Sequence, residues 1–405
     1  MHKYTHKYNL ASHIHLSKFL HNKYNELVIA DTFRLVALSM ISLFVPIFLL
    51  EKGFSIEEII YMELGILFGS IVLHYFVLKV ITMWGVKKTL ILSYVLNIVL
   101  YISMFYVDIL VGDFGRYFFL FVIAVLNIIP SALYWSAHHI FFLRTTEVKN
   151  EGKKLGILMS IPSFVGIVSP LVGSILIDGY SFQLAFLVSA GLMGVASSVL
   201  FFSEDIKVKS EMSVEKIFDI RGMRKNLIFF IQGISHIATG FVWPIFLFFL
   251  KVHLISMGFL YLFSNAFYSI VSYLGGKGSD GDKAKKFGKI GAMGHGFSMI
   301  FRALFTTIVS MTAFQTMGGI FGGLLHIVLD SKFYKNSHKD MSNAVMNREL
   351  YMHLGRIFVV VLFLVLLNFF DTTKTLAYLL IVSGVSTFLL SLIITDDKKG
   401  SDLEF

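Results

Sequence analysis

The sequence contains no cysteine, only five prolines, and few charged residues, 15% of its 405. The lack of cysteine excludes a disulfide-stapled secreted scaffold, thiolate metal sites, iron–sulfur clusters and thiol catalysis. The scarcity of charge leaves too little polar side chain to cover a water-facing surface, since globular proteins carry about 25% charged residues. Apolar residues dominate instead: 56% are hydrophobic, 42 are Phe, and the mean hydropathy is +0.75. An integral membrane protein with several helical spans is therefore predicted.

Twelve apolar stretches are long enough to cross a bilayer as helices, because a hydrocarbon core of about 30 Å takes about 20 residues. Together they leave no room for a folded soluble domain. The polar tail before the first stretch lacks the apolar region and cleavage site of a signal peptide, so we expect none. The twelve predicted spans lie at residues 27–50, 58–80, 89–107, 117–143, 155–177, 182–203, 226–250, 254–275, 289–309, 311–330, 349–370 and 374–395.

The positive charge of the chain, a net +9 at pH 7, falls almost entirely into alternate loops between the predicted spans. This arrangement follows the positive-inside rule, which places both termini in the cytoplasm and the spans in the cell (inner) membrane. Nucleic-acid binding would need the charge in one basic patch, so we expect no nucleic-acid partner. The basic loops are 87–88, 144–154, 207–225, 277–289, 332–348 and 398–399.

The longest polar interruption in mid-chain divides the spans into two sets of six. The first span ends in VPIFL at 45–49 and the seventh in WPIFL at 243–247, and the equivalent positions of this match indicate duplication. The predicted fold is an all-α integral membrane protein with twelve transmembrane helices in two pseudo-symmetric halves. Its segments are a cytoplasmic basic tail at 1–26, an N-terminal half at 27–203, a cytoplasmic linker at 204–225, a C-terminal half at 226–396 and a cytoplasmic tail at 397–405.

The loop after the eighth span resembles the inner-loop signature of the major facilitator superfamily, G-x3-D-x2-G-x-[RK]-[RK]. It matches through Gly276, Asp280, Lys285 and Lys286, with Lys283 in place of the second glycine. An aspartate in this loop accepts hydrogen bonds from a neighbouring helix N-terminus or a basic side chain, so Asp280 is predicted to clamp one conformational state. A short solvated turn is the alternative.

The corresponding loop after the second span keeps Gly85, Lys87 and Lys88 of the signature. It has Leu78 and Thr82 where glycine and aspartate are expected, so the clamp carboxylate of this copy is not carried over. Together with the span count, the duplication and the orientation, the resemblance covers the whole chain. It implies a transporter in which spans one, four, seven and ten line a central cavity.

The fifth span contains Gly166, Pro170 and Gly173 in an order that looks like the G-x3-G-P-x2-G-G element of drug:proton antiporters in that superfamily. Ser169 and Ser174 replace two of its glycines. The resemblance implies export in exchange for protons. The alternative is close packing of small residues between helices, which many membrane proteins use.

Polar residues form stripes on the four spans that the resemblance assigns to the cavity. Ionisable groups are costly in lipid, so inside a bundle they mark a pathway, a proton relay or a structural pair. The predicted substrate and proton pathway consists of Asp31, Arg34, Asn127, Trp135, His138, Gln232, His236, Trp243, Gln315, His326 and Asp330.

Several of these residues also fit a structural role. Asp31 and Arg34 could neutralise each other at i, i+3, and His138 and His139 could anchor their helix at the interface. Asp330 could simply pair with Arg356. Possible ion pairs off the cavity helices involve Glu63, Arg302 and Arg356, with each arginine bridging helices or reaching a carboxylate such as Asp330.

The N-terminal tail holds five histidines, but their irregular spacing and the lack of clustered carboxylates favour a basic membrane-surface segment over a metal site. Its histidines are His2, His6, His13, His15 and His21. No metal and no cofactor are predicted.

The predicted function is secondary active transport of a small molecule by alternating access, coupled to protons and directed outward. Proton-coupled uptake and a non-transporting receptor or scaffold are the alternatives. A membrane enzyme is not expected, because the chain has no D-x-x-D, H-E-x-x-H or G-x-S-x-G pattern, and no ATP-binding loop is present. The expected partners are a small-molecule substrate, protons and the lipid bilayer, with the protein a monomer.

Overall fold

The computed structural model describes residues 23–146, 151–201, 205–207, 223–278, 284–337 and 340–394, and within these ranges it contains twelve long helices and no strand. The first six are α1 (Lys23–Glu51), α2 (Ile56–Trp84), α3 (Val86–Phe105), α4 (Arg116–Thr145), α5 (Glu151–Val165 and Ser169–Gly179) and α6 (Phe182–Phe201). The last six are α7 (Met223–Phe249), α8 (Leu254–Gly278), α9 (Ala284–Leu304), α10 (Ile308–Ser337), α11 (Met341–Leu367) and α12 (Thr372–Ile393). A short helix, Val107–Phe114, connects α3 to α4.

Eleven of these helices are long and apolar enough to cross a membrane, judged within the described ranges. The expected ninth span falls on α9, whose 21 residues include four glycines, His295, Lys289 and Arg302. These residues lower its mean hydropathy, so α9 is not among the eleven apolar helices. The all-helical membrane architecture is confirmed, whereas the number of twelve spans stays a prediction.

Two of the long helices, α2 and α12, begin with a side-chain cap. Ser55 and Glu58 form a capping box at the start of α2, each side chain bonding to the other's backbone N–H. Asp371 caps α12 by accepting a hydrogen bond from the backbone N–H of Lys374, which holds the pKa of Asp371 below its usual range. Gly85, between α2 and α3, has φ +102°, a conformation that side chains with a Cβ rarely adopt.

The packing of the first six helices repeats in the last six. The pairs α1–α5, α1–α6, α2–α4, α3–α4 and α3–α6 are in contact, and each has a counterpart six helices later: α7–α11, α7–α12, α8–α10, α9–α10 and α9–α12. The two sets meet through α2 against α11 and α5 against α8. These two contacts are equivalent, because α8 is the counterpart of α2 and α11 is the counterpart of α5.

The two copies of the PIFL sequence occupy matching breaks. In α1, a 3₁₀ turn at Ser42–Phe44 precedes the final segment Val45–Glu51. In α7, a π-helical turn at Ala238–Val242 precedes the final segment Trp243–Phe249. Each final segment is seven residues long with proline in its first turn, where the missing N–H costs no hydrogen bond. The final segments contact each other at one end of the bundle.

The other end of the bundle gathers basic residues, and we call it the basic end. Lys87 at the start of α3 pairs with Glu26 at the start of α1, and both side chains are buried. Arg224 at the start of α7 donates a hydrogen bond from Nε to the carbonyl oxygen of Ile393 at the end of α12, 3.0 Å away. The chain therefore brings the ends of several helices together here.

The turn between α10 and α11 is shorter than the sequence predicts. The predicted spans end at 330 and begin at 349, but α10 continues to Ser337 and α11 already begins at Met341. Helical hydrogen bonding does not stop where a sequence becomes polar, so hydropathy underestimates the length of both helices. Arg348 and Glu349, expected in the loop and at its edge, lie two turns inside α11 and are buried.

Gly173 allows α5 to pack directly on the backbone of α1. A Cβ at this position would lie 1.9 Å from the carbonyl oxygen of Met40. We expect Gly173→Val to lower the apparent Tm in detergent by several degrees, because the helices must separate and lose dispersion contacts. Gly65→Val is the matched control, since nothing lies within 4 Å of a Cβ there. Equal melting temperatures of the two variants would contradict this account.

Candidate functional site

Two adjacent cavities lie within the bundle. The larger, about 420 Å³, is lined by α1, α2, α3, α4, α7 and α11. The smaller, about 240 Å³, lies nearer the basic end and is lined by α1, α4, α5, α7, α8, α10 and α11. His236 on α7 lines both.

The polar stripe predicted on α4 lines both cavities. Asn127 and Ser131 face the larger cavity, and Trp135, His138 and His139 face the smaller one. The α1 stripe is divided in the same way, with Asp31 and Arg34 at the smaller cavity and Ser42 at the larger. The polar residues of these two helices therefore face the two cavities, and their role in a transport pathway stays a prediction.

Asp31 is held by α4 rather than by its neighbour on α1. Its Oδ1 accepts a hydrogen bond from Tyr134 Oη at 2.8 Å, and its Oδ2 lies 2.7 Å from His138 Nε2. The mutual neutralisation of Asp31 and Arg34 is therefore wrong, because the carboxylate turns towards α4. The interfacial anchoring of His138 is also wrong, since its ring is buried against Asp31.

Arg34 lies over aromatic rings. Its guanidinium carbon is 3.2 Å from the centre of the Tyr134 ring and 5.8 Å from that of Trp135. Among the described residues Arg34 has no carboxylate within salt-bridge distance, and its Nε has no hydrogen-bond partner. A guanidinium is stabilised by an aromatic face, but its N–H groups still need acceptors, so Arg34 is available to a solute in the smaller cavity.

Asp330 pairs with Arg348, not with Arg356 or Arg302. Arg348 Nη2 donates to Asp330 Oδ1 at 2.7 Å, and both residues line the smaller cavity. The predicted partners are wrong because Arg348 was assigned to a loop, whereas it lies in α11 opposite Asp330. Arg356 instead faces the larger cavity beside Glu63, with its Nη1 3.4 Å from His353 Nε2.

A row of three histidines crosses the last six helices. The rings of His236 and His326 have centroids 5.0 Å apart, and His326 lies 5.8 Å from His295 on α9. His295 is bound through Nδ1 to the Gly318 carbonyl at 3.1 Å and through Nε2 to Ser235 Oγ at 3.2 Å. The sequence analysis included His236 and His326 in the predicted pathway but not His295, which lies on a helix outside the expected cavity set.

The single face expected on α7 does not exist over its full length. The π-helical turn at Ala238–Val242 inserts an extra residue, so Trp243 rotates away from His236 and packs against Arg302, 5.3 Å from the guanidinium carbon. Gln232 is buried outside both cavities, and neither of its amide atoms has a hydrogen-bond partner among the described residues.

Arg302 is satisfied by neutral groups. Its Nη1 donates to Gln315 Oε1 at 2.6 Å, and its Nη2 and Nε bond to the Ser298 hydroxyl and carbonyl. Gln315 is thereby part of a buried contact between α9 and α10 and lines neither cavity.

A carboxylate that sequence reasoning missed lies where α2, α4 and α11 meet. Glu349 is 3% exposed, and its carboxylate oxygens are 3.5 Å from His139 Nε2, 3.6 Å from His74 Nε2 and 3.9 Å from His353 Nδ1. His74 and His353 lie inside predicted spans, where an ionisable residue is itself a signal. Glu349 gave no such signal because it was placed at the first residue of its span.

Metal binding is not indicated at any of these clusters. Within the described ranges, no group of three or more His, Cys, Asp or Glu side chains is arranged to hold a metal ion. The histidine-rich tail lies outside the described residues.

At the first signature loop, a different aspartate supplies the missing carboxylate. Asp205, which follows α6, accepts hydrogen bonds from the backbone N–H groups of Lys87 at 2.8 Å and Lys88 at 3.3 Å. A Cβ on Gly85 would lie 2.2 Å from Asp205 Oδ2, so glycine is needed for this approach. The carboxylate sits at the N-terminus of α3, where the helix dipole favours negative charge.

The second signature loop is described only in part. Gly276 is buried, and its Cα is 3.1 Å from a Cβ placed on Gly156, where α8 packs on α5. Lys285 and Lys286 begin α9, the former half-buried and the latter exposed. Asp280 lies outside the described residues, so its clamp role stays a prediction.

The span-five element forms a break in α5. Gly166 begins a 3₁₀ turn, Pro170 is in the first turn of the segment that follows, and Gly173 contacts α1 as described above. These contacts account for the small residues by packing.

Apolar helices, repeated packing and internal cavities lined by several ionisable residues are the features of a membrane transporter. A family model of the Major Facilitator Superfamily matches residues 27–396, and the chain belongs to that family, whose members are transporters rather than enzymes. No curated protein sequence matches the chain significantly.

Among solved structures, the fold is similar to the crystal structure of an asparagine-to-alanine variant of the E. coli fucose:proton symporter, FucP. The TM-score is 0.65 with 11% sequence identity, covering 92% of this chain and 98% of that one. At this identity the likeness concerns the fold.

Proposed function

We propose that the protein exports a small organic solute across the cell membrane by alternating access, in exchange for protons. The observation that carries the proposal is the position of His236, which lines both cavities and therefore lies on the route between them. Secondary transport requires a site that each side of the membrane reaches in turn, with a titratable group able to respond to the solute.

The proposed movement is a rocking of residues 27–203 against 226–396 in a monomer with twelve spans. The α2–α11 and α5–α8 contacts support it, because they join the two sets through equivalent helices. We place the basic end and both termini in the cytoplasm, following the positive-inside rule.

The solute is proposed to bind in the smaller cavity. Trp135 and Tyr268 offer aromatic surface, and Arg34 offers unfilled donors. A solute with an aromatic or apolar body and an acceptor such as a carboxylate would contact both the aromatic rings and Arg34. It would have to be small, since the cavity volume is about 240 Å³.

Coupling is proposed to run through His236 and Asp330. Desolvation favours the neutral form of a carboxylate and of an imidazole, whereas mutual attraction favours both charges. His326 stands beside His236 and lines the same cavity as Asp330. A solute that enters this cavity changes the balance between desolvation and attraction, so the protein takes up or releases a proton as the solute binds.

We expect His236→Gln and Asp330→Asn each to reduce solute-driven proton movement at least tenfold in proteoliposomes. The measurement adds solutes from a panel of small organic acids and amphiphiles to vesicles containing a pH-sensitive dye. Opposite movement of solute and proton supports export by antiport, whereas movement in the same direction identifies uptake by symport.

The matched control is His253→Gln, an exposed histidine at the end opposite the basic end, which should retain wild-type coupling. If His236→Gln and Asp330→Asn also retain it while Asp31→Asn loses it, the coupling site is on α1. If the wild-type protein transports no solute of the panel and none of them causes proton movement, the transport proposal is wrong and a receptor role gains support.

A further inference from the structure

Glu349 and His74 face each other across the contact between α2 and α11 with no room for water between them. His74 is 1% exposed and Glu349 3% exposed, and His74 Nε2 lies 3.6 Å from Glu349 Oε2. The contact therefore joins the first six helices to the last six through two titratable side chains.

The hydrogen bonds of His74 fix which of its nitrogens carries hydrogen. His74 Nδ1 lies 2.6 Å from the carbonyl oxygen of Ser70, which can only accept, so Nδ1 is the protonated nitrogen. In a neutral ring Nε2 is then a bare acceptor, and it has no hydrogen-bond partner among the described residues. A neutral His74 would point a lone pair at an ionised carboxylate.

The other two histidines around Glu349 do not supply the missing hydrogen. His353 Nδ1 is bound to the backbone carbonyl of Glu349 at 2.7 Å, and its Nε2 accepts from Arg356. His139 Nδ1 lies 2.6 Å from Tyr334 Oη, which can donate to it, and His139 Nε2 then donates towards Oε1 of Glu349 rather than Oε2. None of these hydrogen bonds therefore places a proton between Glu349 Oε2 and His74 Nε2.

We infer that the His74–Glu349 pair is a proton-binding site that holds α2 against α11 when occupied and releases them when empty. The proton comes from water in the cavities: His139 lines the smaller cavity and His353 the larger, so both border the site. When the proton is bound, it forms an N–H···O contact between His74 Nε2 and Glu349 Oε2 and so joins the two helices. When the proton is lost, the lone pairs of these two atoms face each other. Proton occupancy is thereby tied to the separation of the two helix sets.

Other charged and titratable groups lie around the pair on all the helices packed against it. They are Glu63 on α2, His139 on α4, Asp330 and Tyr334 on α10, and Arg348, His353 and Arg356 on α11. The inference rests on the proposed proton coupling for its purpose, but it adds a site distinct from His236 and Asp330.

The test measures the α2–α11 separation without any solute. Because the chain has no cysteine, spin labels can be placed at Met83→Cys and Leu354→Cys, which are exposed on α2 and α11. Pulsed electron paramagnetic resonance on the full chain in lipid nanodiscs measures the distances between the two labels. The populations with short and long distances are followed as a function of pH. For one proton, the ratio of short to long populations should rise about tenfold per pH unit of acidification until the site fills.

His74→Gln and Glu349→Gln should both abolish this pH dependence and hold the short separation at every pH. In each variant a neutral amide N–H replaces the proton and bridges the pair. His253→Gln and Asp178→Asn are matched controls, since that exposed pair at the other end has a similar composition at 3.3 Å, and they should keep the wild-type response.

Retention of the wild-type slope in both glutamine variants would overturn the site. Loss of the slope in the His253 or Asp178 controls would also overturn it, because the response would then be general. If Glu349→Gln does not fold, His74→Gln alone decides, since it leaves the carboxylate with a donor. Failure of solute-driven proton movement in the wild-type protein would refute the proposed coupling, but the distance measurement needs no solute and would still test the His74–Glu349 site.

Discussion

Gln315→Leu will lower the free energy of unfolding by about 2–3 kcal/mol, because it leaves the buried guanidinium of Arg302 without its shortest hydrogen bond. Arg302 is 2% exposed and, among the described residues, contacts no carboxylate that could compensate. The measurement is reversible unfolding in mixed detergent micelles, followed by the loss of helical circular dichroism.

Gln232→Leu is the matched control, with the same chemistry and the opposite expectation. Gln232 is buried, and neither amide atom has a partner among the described residues, so its replacement should be neutral or stabilising. The double variant Arg302→Met/Gln315→Leu should recover most of the stability lost in Gln315→Leu. A loss of equal size at Gln232 and Gln315 would show that the hydrogen bond to Arg302 is not the cause.

Arg34→Gln will reduce transport by on the order of 100-fold, because it removes a cation of the smaller cavity that, among the described residues, pairs with no carboxylate. Truncating a desolvated charged partner in a binding site costs about 2–5 kcal/mol. Arg34→Lys should fail nearly as badly, since a planar guanidinium stacks on Tyr134 and an ammonium does not.

The measurement uses the solute that drives proton movement, at a subsaturating concentration. It records the initial rate at which proteoliposomes take up this solute. Lys52→Gln is the matched control, since Lys52 pairs with Asp108 at the surface of the end opposite the basic end and should leave the rate unchanged. Wild-type rates in both Arg34 variants would remove this residue from the solute site.

Hydropathy and spacing predicted the fold closely because a membrane helix must satisfy its backbone internally and present apolar side chains to lipid. They failed where helices are irregular or longer than their apolar stretch. The π-helical turn in α7 separated Trp243 from His236, and the extension of α11 to Met341 hid Arg348 and Glu349 in a predicted loop.

The candidate site divides along the same line. On α1 and α4 the predicted residues Asp31, Arg34 and His138 line the smaller cavity, and their role there stays a prediction. Partner choice was not predicted. Asp31 has Arg34 three residues away but contacts Tyr134 and His138, and Asp330 pairs with Arg348, an arginine that the sequence analysis placed in a loop. Such pairing depends on side-chain geometry across helices, which a single sequence does not contain.

The breaks in α1 and α7 have a consequence for access at the end opposite the basic end. Gly173 seats α5 on the backbone of α1 at Met40, only two residues before the 3₁₀ turn at Ser42–Phe44. This contact holds α1 at Met40, while the seven residues beyond the turn continue the helix only after a break in its α-helical hydrogen bonding. The same holds for the seven residues after the π-helical turn of α7. Both short segments are buried and contact each other. We therefore expect them to close this end of the bundle as a pair, each set off from the rest of its own helix.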